Sequence, residues 1–225
     1  MCGPDMNREV LAYINEGISD QGLNNILKNF QTLFPYLQQI AHANHIKDPL
    51  DNRVIEAYWL GNSLLNTVPQ KTFYKHLTDN LRLNKRLNAK TFSHLKDKLS
   101  LGALMHHSFH VFNVWRRTDN PNENHALDNM DNCRISCGHV IAVDGPIITV
   151  SRQPLVLTNN QLAFASPQQI KIIRQLEGSS LIDEVAVNDI LSIHWNQPCE
   201  IITPQQANDL KHYTQLSLSL ANTTL

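Results

Sequence analysis

Two stretches carry residue types that can do chemistry. "HHSFH" holds His106, His107 and His110, and "NCRISCGHVIAVDG" (132–145) holds Cys133, Cys137 and His139. On a helix, His106 and His110 stand at i and i+4 on one face, the spacing that lets two imidazoles reach one metal ion. The zincin form of this spacing is H-E-x-x-H, whereas Ser108 and Phe109 supply no carboxylate base. The plainer alternative is that these histidines hydrogen-bond inside a crowded helix junction. Glu56 and Arg53, in "RVIEAYWLGN", are either a buried ion pair or part of a site. If Glu56 faces the histidine helix, a His₂–carboxylate iron or zinc site results.

Cys133 and Cys137 form a C-x₃-C pair. A structural zinc there would need two further ligands, drawn from His139, His194 and Cys199. The pair is not the C-x-x-C of a thioredoxin-type redox helix, and the alternative is buried cysteine acting as a small apolar residue. Cys2 is either an ordinary start residue or a terminal thiol. No phosphate-binding G-x-x-x-x-G-K-[ST], G-x-G-x-x-G or nucleophile-bearing G-x-S-x-G motif is present, which argues against ATPase, dehydrogenase and α/β-hydrolase chemistry.

These residues need elements to hold them. "REVLAYINEGI" (8–18), "LNNILKNFQTLFPYLQQIAHANHI" (23–46) and "RVIEAYWLGNSLLNTV" (53–68) repeat apolar residues every three or four positions and predict helices, with Pro35 kinking or dividing the second. "TFYKHLTDNLRL" and "TFSHLKDKLS" predict shorter ones, and "LGALMHHSFHVFNVWRR" (101–117) a buried central helix. The basic run "RLNKRLNAK" (82–90) reads as a solvated helix face. The Asn- and Asp-rich stretch 118–132 reads as a linker or long loop.

Beyond it the period changes to alternation in "HVIAVDGPIITVSRQPLVL", with Asp144-Gly145 placed to turn a hairpin. "QLAFA" and "DILSIHW" are further strand candidates. A last helix opens with Thr203 as cap, Pro204 in its first turn and Gln206 as capping-box partner. The expected class is α+β: a helical domain over 1–127 packed on a small antiparallel β-barrel over 128–225, closed by that helix.

Charge narrows the function classes. Nineteen basic against twenty acidic side chains leave a net charge of −1, without the concentrated positive field that nucleic acid or an anionic membrane requires. With 42% hydrophobic residues the chain reads as globular, and no apolar run approaches the ~20 residues of a bilayer crossing. The first ten residues carry no secretory h-region, so a reducing, cytoplasmic setting is expected for the four cysteines.

"CRISCGHVIAVDG" and "VNDILSIHWNQPCEIITPQQANDLKHYTQL" together resemble the two ends of the HypC/HupF maturation chaperones of nickel–iron hydrogenases. In the resemblance Cys133 takes the position of that family's cysteine, Gly138 its glycine, Asp144-Gly145 its turn, Asn188-Asp189 its Gly-Asp pair and His194 its strand histidine. The family's cysteine lies at the extreme N-terminus, whereas Cys133 is mid-chain, and Cys137 stands where the family has proline. The helical half, with "CGPD", "RVIEAYWLGN" and "HHSFHVFNVWRR", is similar to an uncharacterised bacterial family associated with hydrogenase gene neighbourhoods.

What the resemblance implies is an OB-like barrel, Cys133 and His194 as ligands to iron, and contact with hydrogenase maturation proteins or the large subunit. On that expectation the protein is an accessory factor in hydrogenase metallocentre assembly, with Cys137 a nearby thiol and His106, His107 and His110 a wall facing the barrel. Two alternatives stay open. One is a metal-dependent enzyme using Glu56, His106 and His110 on a small molecule; in either metal reading zinc is the alternative to iron. The other is a scaffold without a site.

Overall fold

The computed structural model describes residues 7–115, 123–176, 179–180, 182 and 184–224. Cys2, and the part of the expected linker at 118–122, lie outside them. The class is α+β, with a helical N-terminal region, an antiparallel sheet and a C-terminal helix.

The helical region runs α1 (Asn7–Glu16), α2 (Gln21–Lys28), α3 (Leu33–Ala43), α4 (Asn52–Trp59), a 3₁₀ turn (Ser63–Thr67), α5 (Gln70–Lys75), α6 (Leu83–Arg86) and α7 (Ala89–Ser100). Pro35 divides the expected second helix: it sits in the first turn of α3, where its missing amide would have had no helical acceptor. The expected helix 53–68 also breaks. Gly61 has φ +92°, and a Cβ there would lie 2.0 Å from Cδ2 of Tyr213, so the chain turns away where a distant aromatic ring occupies the space.

The segment bearing "HHSFH" departs from a continuous helix over 101–117. Residues 101–105 are not helical, His106 is an extended cap, and α8 (His107–Phe109) passes straight into a π-helical stretch (His110–Trp115). The expected loop is partly helix as well, since α9 covers Glu123–Cys133 and crosses the expected boundary at residue 127.

Five strands form one sheet in the order β5-β2-β1-β8-β9, all neighbours antiparallel: β1 (Ser136–Asp144), β2 (Ile147–Arg152), β5 (Gln168–Ile173), β8 (Ile190–His194) and β9 (Gln197–Ile201). Asp144 pairs with Ile147 across Gly145-Pro146, the expected hairpin. β3 (Leu155–Thr158) pairs with β4 (Gln161–Phe164), and β6 (175–176) with β7 (179–180), as separate ribbons. The barrel expectation is corrected here: the sheet does not close, because β5 and β9 are edges that do not pair. Pro198 within β9 has no amide to offer a further strand, which suits an edge.

The closing helix α10 (Pro204–Asn222) carries the full Thr203/Gln206 capping box with Pro204 in its first turn. It joins the layers. Tyr213 and Leu220 enter the helical core with Tyr36, Tyr58, Phe73 and Phe109. Leu218 and Ala221 pack instead with Val111, Met130, Cys133, Leu155 and Leu162. The sheet has its own apolar face of Val140, Ile148, Val150, Ile172, Leu191 and Ile193. Among the described residues no helix is long and apolar enough to cross a membrane.

Candidate metal centre

Three elements end at one point. His107 opens α8, Cys133 closes α9 and His194 closes β8. One donor atom from each lies within 4.8 Å of the others, and among the described residues this is the one group of three or more His, Cys, Asp or Glu side chains so placed. A tetrahedral ion about 2.0–2.3 Å from each donor needs donors roughly 3.5 Å apart, which leaves about an ångström for rotamer adjustment on binding.

Each end is pinned by backbone or buried side chains. His106 caps α8 through Nδ1, which accepts from the Ser108 amide at 3.2 Å. Ser108 Oγ meets Thr214 Oγ1 at 3.0 Å, and Asn113 Nδ2 donates to the Ser217 carbonyl at 3.0 Å, fixing the helix and its π continuation against α10. The tight Trp195-Asn196 turn after β8 has positive φ at both residues, and the Trp195 amide donates to the Asn132 carbonyl at 2.8 Å. That bond ties the end of β8 to the end of α9.

His107 has a defined tautomer. Its Nε2 lies 2.8 Å from the Cys133 carbonyl, which can only accept, so Nε2 carries the proton. Nδ1 then presents its lone pair and receives the Tyr58 hydroxyl at 3.2 Å. Both ring nitrogens of His107 are thus engaged, and an ion taking the Nδ1 lone pair would have to displace the Tyr58 hydroxyl. Nε2 of His194 is buried without a hydrogen-bond partner, an unusual state for a polar atom and a reason to expect a ligand. Burial holds His194 down to about 4 and, with repulsion from His194, holds His107 well below the ordinary imidazole value, so both rings are neutral and able to coordinate. One thiol and two imidazoles suit a borderline-soft ion such as zinc or iron.

The cluster has an outlet. His194 is half-buried and lines a cavity of about 480 Å³ with Glu56, Trp59, Cys199, Glu200 and Gln206. The Trp59 ring lies 4.5 Å from that of His107 and 5.7 Å from that of His194, forming an apolar side to the site. Partial burial and the charge of Glu56 hold Glu200 above the ordinary carboxylate range. Two acidic side chains therefore line the cavity that His194 borders.

The structure brings together Cys133 and His194, adds His107, and leaves the other expected residues outside the cluster. His106 lies outside the helix, so the i,i+4 geometry with His110 does not arise; its ring stacks on Tyr213 at 5.7 Å. His110 Nδ1 meets the Tyr36 hydroxyl at 3.1 Å in the helical core. Glu56 is beside the site but engaged: Oε1 accepts from Asn62 Nδ2 at 2.9 Å and Oε2 from Gln206 Nε2 at 2.7 Å. Arg53 pairs with Asp51 at 2.8 Å and not with Glu56. Cys137 and His139 line a different cavity. His107 joins Cys133 and His194 although helical spacing placed it only in a wall facing the barrel, and the glycine at 102, which takes φ +91°, is the sequence sign that the helix begins later than periodicity implies.

The chain belongs to DUF6390, a family of unknown function whose match covers residues 1–225. No curated protein and no solved structure matches it.

Proposed function

We propose that this protein holds a transition-metal ion on His107, Cys133 and His194, and that it does so as an accessory factor in nickel–iron hydrogenase maturation, with iron as cargo and the maturation proteins or large subunit as partners. The observation that carries the metal reading is the convergence of one sulfur and two neutral imidazoles within 4.8 Å. Three protein donors leave at least one coordination position for a ligand from the cavity or from a partner. Such an incomplete shell suits an ion that must be passed on. The hydrogenase assignment rests on the likeness of the Cys133 and His194 segments to the HypC/HupF chaperones.

A second reading, a metal-dependent enzyme, is favoured by Glu56 and Glu200 lining the same cavity as His194. A carboxylate beside a three-donor metal is the place for a general base.

Protein loaded anaerobically with ferrous iron, desalted and analysed for metal tests both. About one ion per chain, lost in Cys133→Ala and retained in Glu56→Gln, is the expected result. No retained iron or zinc in the wild-type chain would reduce the protein to a scaffold. Transfer of the loaded iron to hydrogenase maturation proteins distinguishes cargo from resident cofactor, and an ion that never leaves favours the enzyme.

A further inference from the structure

A second cavity, of about 290 Å³, lies between β1, β2 and the closing helix. It shares only Ile135 with the cavity beside the metal donors. Its lining includes Arg134, Arg152 and Lys211 and contains no aspartate or glutamate. The two arginine side chains are only 5% and 6% exposed, and both lean on one carboxylate, Asp131.

The hydrogen-bond accounting leaves this cluster short of acceptors. Arg134 donates through Nε to Asp131 Oδ1 at 2.9 Å and through Nη2 to the Gln153 carbonyl at 2.5 Å, and its guanidinium lies 4.7 Å from the Phe164 ring centre. Arg152 donates through Nη2 to Asp131 Oδ2 and through Nη1 to Ser136 Oγ at 3.1 Å. Its Nε is buried with no partner. Asp131 also accepts from the Leu155 amide at 2.9 Å, so its oxygens are already shared three ways. Buried guanidinium groups are held in place by paired acceptors, and an excess of buried positive charge is unfavourable unless an anion completes it.

We infer that this cavity is a binding site for the phosphate group of a small molecule. Arg134, Arg152 and Lys211 against Asp131 leave a surplus of two positive charges, which a phosphate monoester at about −1.5 to −2 matches better than a carboxylate at −1. Arg134 and Arg152 supply fixed positive charge in the cavity wall, and Lys211, exposed on the closing helix, supplies a mobile point charge at the rim. The cavity exceeds the size of inorganic phosphate alone, so the phosphate is carried on a larger body.

Calorimetric titration of the full chain with inorganic phosphate, at ionic strength fixed with chloride, tests this. Saturable binding is expected, weakened about tenfold in Lys211→Ala, a surface change that leaves the buried pairs intact, and unchanged in the sheet-edge control Lys171→Ala. Arg152→Lys keeps the charge, loses the planar guanidinium fork and is expected to weaken binding as well. Absence of saturable heat up to about 10 mM phosphate, equal affinity in Lys211→Ala, or acetate binding as tightly as phosphate would each overturn the assignment.

Discussion

His107 Nε2 donates to the backbone carbonyl of Cys133 across 2.8 Å, so the first turn of one helix is fastened to the last residue of another. The bond sets both the ring's orientation and its tautomer. It also makes the geometry of the three donors a property of the helix junction rather than of three independent rotamers. What the site binds then depends on groups that compete for, or neutralise, its lone pairs.

The Tyr58 hydroxyl is one such competitor, since it occupies Nδ1 of His107 at 3.2 Å. Removing it in Tyr58→Phe frees the lone pair without changing the ring packing. Cobalt(II) affinity, measured by competition with a chelator, is expected to rise about three- to tenfold. A fall would mean that the hydroxyl positions the ring for binding instead of opposing it.

Loss of the sulfur should be more severe. Cys133→Ser replaces a soft ligand with a poor one at unchanged volume, and the sulfur-to-cobalt charge-transfer band in the near ultraviolet should vanish. His106→Gln and His110→Gln, which alter rings outside the cluster, should keep that band. A band that persists in Cys133→Ser would remove the thiol from the site.

Stability should depend on pH through the helical core. Burial holds His76 down to about 3 and His110 down to about 4, against an unfolded value near 6.5. Folded-state values below the unfolded value mean that the unfolded chain takes up protons first as pH falls. Stability is therefore full above about pH 6.5 and declines as pH drops from there toward 4, by up to about 1.4 kcal/mol per pH unit for each histidine. Urea midpoints at pH 7 and pH 5 should differ in that sense, and His76→Phe should make the difference smaller.

Two positions should be intolerant for different reasons. Gly61→Ala combines φ +92° with a Cβ overlapping the Tyr213 ring, and a loss of about 2–4 kcal/mol is expected in chemical denaturation. Asp131→Ala leaves two buried guanidinium groups without their shared carboxylate, at about 3–5 kcal/mol. Phosphate should recover part of the stability of Asp131→Ala and none of that of Gly61→Ala.

Local rules made some of this legible from residues alone. The Thr203-Pro204-Gln206 cap and the Asp144-Gly145 hairpin depend on neighbours a few positions away, and both form as read. The approach of Cys133 to His194 was expected from the likeness of two segments, not from spacing. Three features hid because their causes are distant. The break at Gly61 is set by Tyr213, some 150 positions on. The Asn- and Asp-rich stretch ending at Cys133 has poor intrinsic helix propensity, yet it is helical because Met130 and Cys133 bury against β3 and α10. His106 had to leave the helix to cap it, which dissolved the i,i+4 pair and brought His107 to the junction.

Trp59 and Trp195 flank His194, with ring centres 5.7 and 6.3 Å from the imidazole. Two of the chain's three tryptophans, and their emission, therefore sit beside the proposed ligands. An ion with a partly filled d shell seated there should quench that emission on contact, whereas a filled-shell ion such as zinc should leave most of it. The molecule thus contains its own optical reporter, able to separate iron from zinc without a label.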